Sequence, residues 1–345
     1  MADSDADKFD LVCEGGGVKG IGLAGAYAVL EEQGHKVQSC AGTSAGAITA
    51  ALIAAGYTSD ELNEVIFGLD YRRFEDPTWE KRVGGALPAI VFENGMYKGD
   101  VFEEWMRGKL AEKDVHTFAD LPPSQDSSFN SRLQVVASDV SAHELLVLPR
   151  DAAKLGTTVD KLEVAHAVRM SMSIPIFFEP VRFENEATNH QHVIVDGGML
   201  SNFPVWLFDR TDGQSPRWPT FGLLLVEPDP KIPITQRLPE PEKGVHGPSG
   251  LVNLVSSMVH TMMEAHDRLY VEKAQYARTI PIPTLGVGTT EFNITPERTK
   301  ALYESGRKAA EDFLKSWDFE AYKAAFRSGT EPPSRRESLV AELAG

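Results

Sequence analysis

The chain has 345 residues and is 42% hydrophobic, enough for one large α/β domain or two ordinary ones to bury a core without disulfide staples. Its 34 basic against 50 acidic side chains leave a formal net charge of −16, which argues against a nucleic-acid partner held by phosphate neutralisation. The opening MADSDADKFD has no basic-then-apolar leader, and no run reaches the roughly 18 apolar residues of a spanning helix, so the expectation is a soluble, cytoplasmic protein.

Residues 1–8 read as an acidic tail. Residues 9–14 form a short apolar run, a strand, that passes into EGGGVKG over residues 14–20. From Gly20 the apolar residues Ile21, Leu23, Ala24, Tyr27, Ala28 and Leu30 recur at helical spacing until Gly34 stops them. Residues 37–41 make a second strand, Gly42-Thr43-Ser44-Ala45-Gly46 follows, and residues 45–55 predict a helix closed by Gly56. The start is therefore βαβα, with parallel strands covered by helices. Cys13 and Cys40 sit inside these apolar segments with no Cys-x-x-Cys spacing, as small core residues would.

Residues 72–97 interrupt the rhythm. Arg72, Arg73, Lys81 and Arg82 precede the apolar run Leu87 to Phe92, a candidate basic edge for touching a membrane surface. Beyond it the pattern predicts helices at 100–111, 162–170, 251–276 and 296–317, and buried strands at 133–138, 193–195 and 221–226. A Pro-rich loop occupies 228–249, and residues 327–345 lack apolar periodicity and read as a mobile tail. Residues 9–326 form a single α/β domain.

The spacing Gly15-x-Gly17-x-x-Gly20 fits the dinucleotide fingerprint, and equally a backbone cradle for some other negative charge. A dinucleotide fold places an acidic residue about 20 positions further on, at the end of the second strand. Here that strand runs into the serine turn with no carboxylate, and Lys19 followed by Gly20 breaks the P-loop order. The form G-x-S-x-G instead lifts a serine hydroxyl on a sharp strand-to-helix turn, which makes Ser44 a candidate nucleophile supported by Gly42 and Gly46. Consecutive glycines let several N–H groups converge, so Gly15, Gly16, Gly17 and the first helical amide, Ala45, are candidate oxyanion donors.

The serine needs a base. Of the nine histidines only His246, His260 and His266 follow a good acid candidate in the usual hydrolase order, and none occupies a strand end. Asp196 ends an apolar strand and is followed by Gly197 and Gly198, so its carboxylate emerges at the carboxyl edge where open α/β sheets place ligands. Partial burial would raise its pKa towards that of a working base. Asp139 also ends a strand and is the rival.

These three motifs, glycine loop, serine elbow and Asp-Gly-Gly strand end, in that order, resemble the patatin-like phospholipase family. Arg169 to Pro175, Asn202-Phe203-Pro204 and Gly95 to Asp100 are similar to family segments as well, so the resemblance covers about residues 9–318. It implies a three-layer fold with a mostly parallel sheet, a Ser44–Asp196 dyad without histidine, and an oxyanion hole in the glycine loop. It implies hydrolysis of acyl esters in glycerolipids, of the phospholipase A or lysophospholipase kind, at a membrane surface and with no metal or organic cofactor. Lys19 stands where many members carry arginine, keeping the charge without the fork geometry. Two other readings stay open: a thioesterase or general carboxylesterase acting on soluble esters, and an effector phospholipase silent until a protein or small ligand activates it.

Overall fold

A computed structural model of the chain describes residues 5–76, 95–126, 131–210, 214–226, 273–289 and 291–327. Strands β1 (Lys8–Cys13) and β2 (Lys36–Thr43) pair in parallel and end level with each other, Cys13 opposite Gly42. Helix α1 (Ile21–Glu32) connects them and helix α2 (Ala45–Ala54) leaves β2 at once, the βαβα unit expected from the apolar periodicity. The loop after β1 and the turn after β2 thus start side by side.

The main sheet runs β10 (Thr279–Pro283), β9 (Thr220–Val226), β1, β2, β4 (Leu133–Asp139), β8 (His190–Asp196), β7 (Val181–Asn185), and β5 (Glu144–Leu148) also pairs with β4. The pairings from β10 through β4 are parallel, whereas β5, β8 and β7 pair antiparallel. The sheet is mixed, and the sequence pattern had not signalled β5, β7, β10 or the small parallel pair β3 (Gly95–Tyr97) with β6 (Ile176–Phe178). These strands are short or half-exposed and lack the continuous apolar runs of the interior strands.

One detail of register places the chemistry. β2 lies against Leu133 to Val136 of β4, β8 lies against Ala137 to Asp139, and β5 lies against Val135 to Asp139. Because β5 overlaps both partners, it occupies the opposite edge, and β2 and β8 share one edge end to end. Thr43 faces Val136 and Asp196 faces Ala137, so the last residue of β8 meets the turn that follows β2.

The sheet buries both faces. Phe9, Leu11 and Cys13 alternate into the main core with α1 and α2, while Val12 and Ala41 face the other way onto Phe203, Val205 and Phe208. Both cysteines are fully buried, and burial pushes the Cys40 thiol up to about 12 and Cys13 well above its ordinary value. Helix α3 (Ser59–Phe67) was not anticipated, although a Thr58/Glu61 capping box announces it. Further helices are α4 (Asp100–Ala111), α5 (Val164–Ser171), α6 (Lys273–Tyr276), α7 (Pro296–Leu314) and α8 (Phe319–Phe326).

The ends differ from the expectation. Lys8 belongs to β1, and Asp5 bonds to both Lys8 and Arg217, so residues 5–8 are part of the fold. Arg327, expected to open a mobile tail, is ion-paired with Asp209 at 2.8 Å; the rest of that segment lies outside the described residues, as do the Pro-rich loop and most of the 251–276 helix.

Phe221 on β9 is fully buried and its ring meets those of Phe9, His35, Phe313 and Trp317 at 5.2–6.2 Å, joining β1, β9 and α7. Phe221→Ala is expected to lower unfolding free energy by about 3–5 kcal/mol, measured by urea titration; a loss below about 1 kcal/mol would show that the site collapses freely.

Candidate active site

Ser44 caps α2 with φ 53° and ψ −126°, a backbone conformation that a non-glycine residue holds only when its surroundings impose it, at about 1–3 kcal/mol. The flanking glycines let the surroundings do so. A Cβ on Gly46 would stand 2.3 Å from the Cys13 carbonyl oxygen, and one on Gly42 would stand 2.3 Å from the Gly46 carbonyl oxygen. The elbow therefore rests backbone on backbone against the end of β1, where the glycine loop begins. Ser44 is 1% exposed.

Asp196 is fully buried. Its Oδ1 accepts the Gly198 N–H at 2.8 Å, while Oδ2 and the Ser44 Oγ are both buried without a hydrogen bond of good geometry. Burial pushes the Asp196 carboxyl up from 3.8 to about 7, and the nearby Ser44 hydroxyl followed by the Gly198 amide hold it from rising further. Serine and carboxylate thus face each other across an unformed bond, which is common for catalytic pairs without substrate. Gly197 fits where a Cβ would lie 2.3 Å from the Val136 carbonyl oxygen and 3.0 Å from Thr43 Cγ2, at the junction where β2 and β8 meet.

The five amides of the glycine loop and the serine turn divide into two groups. Gly15 donates to the Asn202 carbonyl at 3.1 Å and Ser44 donates to Ser171 Oγ at 2.9 Å. That commitment removes Gly15 from the expected oxyanion donors. The amides of Gly16, Gly17 and Ala45 have no hydrogen-bond partner among the described residues. Ala45 opens α2, so the positive end of that helix lies at the same place.

Asp139, the rival base, is engaged elsewhere. Its Oδ1 accepts from Ser141 N, Ser141 Oγ and Ala142 N, and its Oδ2 lies 2.5 Å from His192 Nδ1. Burial alone would raise its pKa; these hydrogen bonds outweigh burial and hold it below the ordinary carboxylate value. Among the described histidines none bonds to Ser44, and His246, His260 and His266 lie outside the described residues. Two residues that the sequence reading left without a role brace the glycine loop. Asn202 Nδ2 donates to Gly15 O at 3.1 Å and to Glu14 Oε1 at 3.2 Å, and Glu14 Oε2 accepts from Leu225 N. The loop is thereby tied to β9. Lys19 is 9% exposed beside it.

Of the basic edge, Arg72 and Arg73 are exposed and Arg72 pairs with Asp70 at 2.9 Å; Lys81, Arg82 and the run from Leu87 to Phe92 lie outside the described residues. Among the described residues no cluster of three or more metal-ligating side chains occurs, and no helix is long and apolar enough to cross a membrane.

The model of the family described as patatin-like phospholipase matches residues 11–209. The chain is 37% identical over 313 residues to the uncharacterized protein YqhO of Bacillus subtilis (strain 168), across 90% of this chain and 99% of that one. It is 25% identical over 197 residues to a probable lipid hydrolase, 463L, of Invertebrate iridescent virus 6, across 56% of this chain and 61% of that protein. Among solved structures, VipD from Legionella pneumophila has a TM-score of 0.54 at 18% identity, across 98% of this chain and 74% of that one, a likeness of fold.

Because the folded state holds the Asp196 proton more tightly than the unfolded chain, its contribution to stability is complete below pH 3.8 and is lost as pH rises through about 7. Asp196→Asn is therefore expected to be more stable than the wild type at pH 8, by on the order of 3–4 kcal/mol, with little difference at pH 4. Thermal unfolding at the two pH values checks this, and equal differences at both would contradict it.

Proposed function

The chain belongs to the patatin-like phospholipase family, a family of lipid hydrolases, and from that premise we propose that it releases fatty acids from glycerolipids through an acyl-enzyme on Ser44. The observation that carries this reading is the buried Asp196 carboxyl, raised to about 7, facing the strained Ser44 beside three unengaged amides.

In the proposed reaction Asp196 takes the Oγ proton as Ser44 attacks the ester carbonyl carbon. The oxyanion that forms is held by the N–H groups of Gly16, Gly17 and Ala45 and by the amino end of α2. Collapse expels the lysolipid alkoxide, which takes the proton from Asp196. Water then gives its proton to Asp196 and attacks the acyl-enzyme, and as the fatty acid is freed the departing Ser44 Oγ takes that proton back from Asp196. The base works only when ionised, so the rate climbs as pH rises through about 7 and levels above it.

A second reading is favoured by one observation: Ser44 and Asp196 are 1% and 0% exposed. A lipid must reach a closed site, so activity conditional on a membrane surface or an activating ligand or protein is consistent with this burial. A thioesterase or general carboxylesterase would share the same chemistry and differ in accepting soluble esters.

Labelling with a serine-directed fluorophosphonate, alongside fatty-acid release from phosphatidylcholine and phosphatidylglycerol vesicles, tests the proposal. Wild-type protein should label and release fatty acid, and Ser44→Ala and Asp196→Asn should each lose at least about 10³-fold in rate. Wild-type activity in Ser44→Ala would sink the reading. Activity on short soluble esters with none on vesicles would favour the esterase, and labelling only after vesicles or cell extract are added would favour the conditional enzyme.

A further inference from the structure

One motif of the sequence remains without a role in this chemistry: the segment that closes α5, Arg169-Met170-Ser171-Met172-Ser173. Ser171 is fully buried, accepts the Ser44 N–H at 2.9 Å and donates to the Val136 carbonyl at 2.5 Å. Two residues later the Ser173 carbonyl accepts the Asp196 N–H at 2.9 Å. A single helix end thus grips the backbone of both partners, one on each side of the junction between β2 and β8.

Arg169 locks that helix end. It is 4% exposed, and its guanidinium donates to Ser173 Oγ at 2.5 Å, to the Glu179 carbonyl at 2.9 Å and to the Lys98 carbonyl. The Ser173 hydroxyl in turn donates to the Arg169 carbonyl at 2.9 Å. Gly99 makes room for the guanidinium, since a Cβ there would stand 2.2 Å from Arg169 Nε. Among the described residues no carboxylate forms an ion pair with Arg169, and burial lowers its pKa. Its hydrogen bonds all go to neutral oxygens, while the carboxylates of Glu103, Asp76, Asp100 and Glu179 favour its charge through space, and a fixed five-donor fork is what allows one side chain to hold three acceptors on separate segments.

We propose that Arg169, Ser171 and Ser173 form a positioning unit that sets the separation and orientation of Ser44 and Asp196. None of the three touches the reacting atoms; they act through the two backbone amides they hold. The proposal rests on the reading of Ser44 and Asp196 as the catalytic pair. Precision matters here because misplacing a reacting group by about 1 Å lowers rates roughly 10²-fold.

The test is the second-order rate of phosphonylation at Ser44 by a fluorophosphonate, with kcat and KM on an ester substrate measured across pH. Ser171→Ala and Arg169→Lys should each lower the phosphonylation rate and kcat about ten- to a hundred-fold, with KM within about twofold of wild type. Arg169→Lys should also move the pH midpoint of the rate downward, as the loosened turn admits water to Asp196, whereas Ser171→Ala should leave the midpoint in place. Ser171→Cys, which keeps a weak acceptor, should recover part of the rate. In the Ser171→Ala, Arg169→Lys double variant the loss should be smaller than the product of the single losses. Should Ser171→Ala fail to fold, Arg169→Lys and Ser171→Cys carry the same test. Folded variants that label at the wild-type rate, or that change KM alone, overturn the positioning unit. Wild-type protein that does not label at Ser44 even with vesicles and cell extract present overturns the catalytic-pair assignment and this proposal with it.

Discussion

The first turn of α2 touches the end of β1 backbone to backbone, and the site depends on that contact. The Gly46 Cα lies so close to the Cys13 and Glu14 carbonyls that a Cβ would stand 2.3 and 2.5 Å from them. Side chains would hold the two strand ends apart. With glycine there, the serine turn can sit directly on the glycine loop, and its strained φ of 53° is held by packing from below. Asn202 and Glu14 then tie the same loop to β9, so the unengaged amides belong to a braced segment.

The second constraint is an end-to-end junction of strands. β4 carries β2 and β8 consecutively along one edge, which brings the end of an antiparallel strand to the end of a parallel one. A doubly wound, wholly parallel sheet has no such junction, because its strand ends lie in a row and every neighbour points the same way. The mixed sheet is therefore part of how the site is assembled. Ser44 emerges from one strand and Asp196 from the other.

Much of this was legible in the residues. The βαβα start, the interior strands and α4 follow from apolar period and glycine stops, and Asp100 to Ala111 coincides with the helix found. The candidate pair was legible because both members sit at strand ends flanked by glycine. The antiparallel strands β5 and β7 and the parallel strand β10 were not, since their apolar runs are short and their register is set by tertiary pairing. Nor could spacing decide which glycine amides are unengaged: Gly15 and Gly16 are adjacent and alike in sequence, and only the position of the Asn202 carbonyl separates them. Asp139 and Asp196 likewise both end strands, but one meets Ser141, Ala142 and His192 while the other meets a single amide and the serine.

That contrast also bears on how the proposed reaction would run without a histidine. A carboxylate with several donors, such as Asp139, is held below its ordinary pKa and is a weak base, whereas Asp196, fully buried with one amide donor and the serine, reaches about 7, the range of an imidazole. In the proposed reaction burial would make an ordinary aspartate a base of suitable strength, and the same burial makes its ionised form destabilising. In the proposed reaction the tuning lasts only while water is kept out. A polar substrate that brought solvent with it would lower the Asp196 pKa and weaken the base, whereas an acyl chain excludes water as it enters. Preference for an apolar ester would then follow from the base itself as well as from the shape of the site, and closure of the site would be a condition of the chemistry.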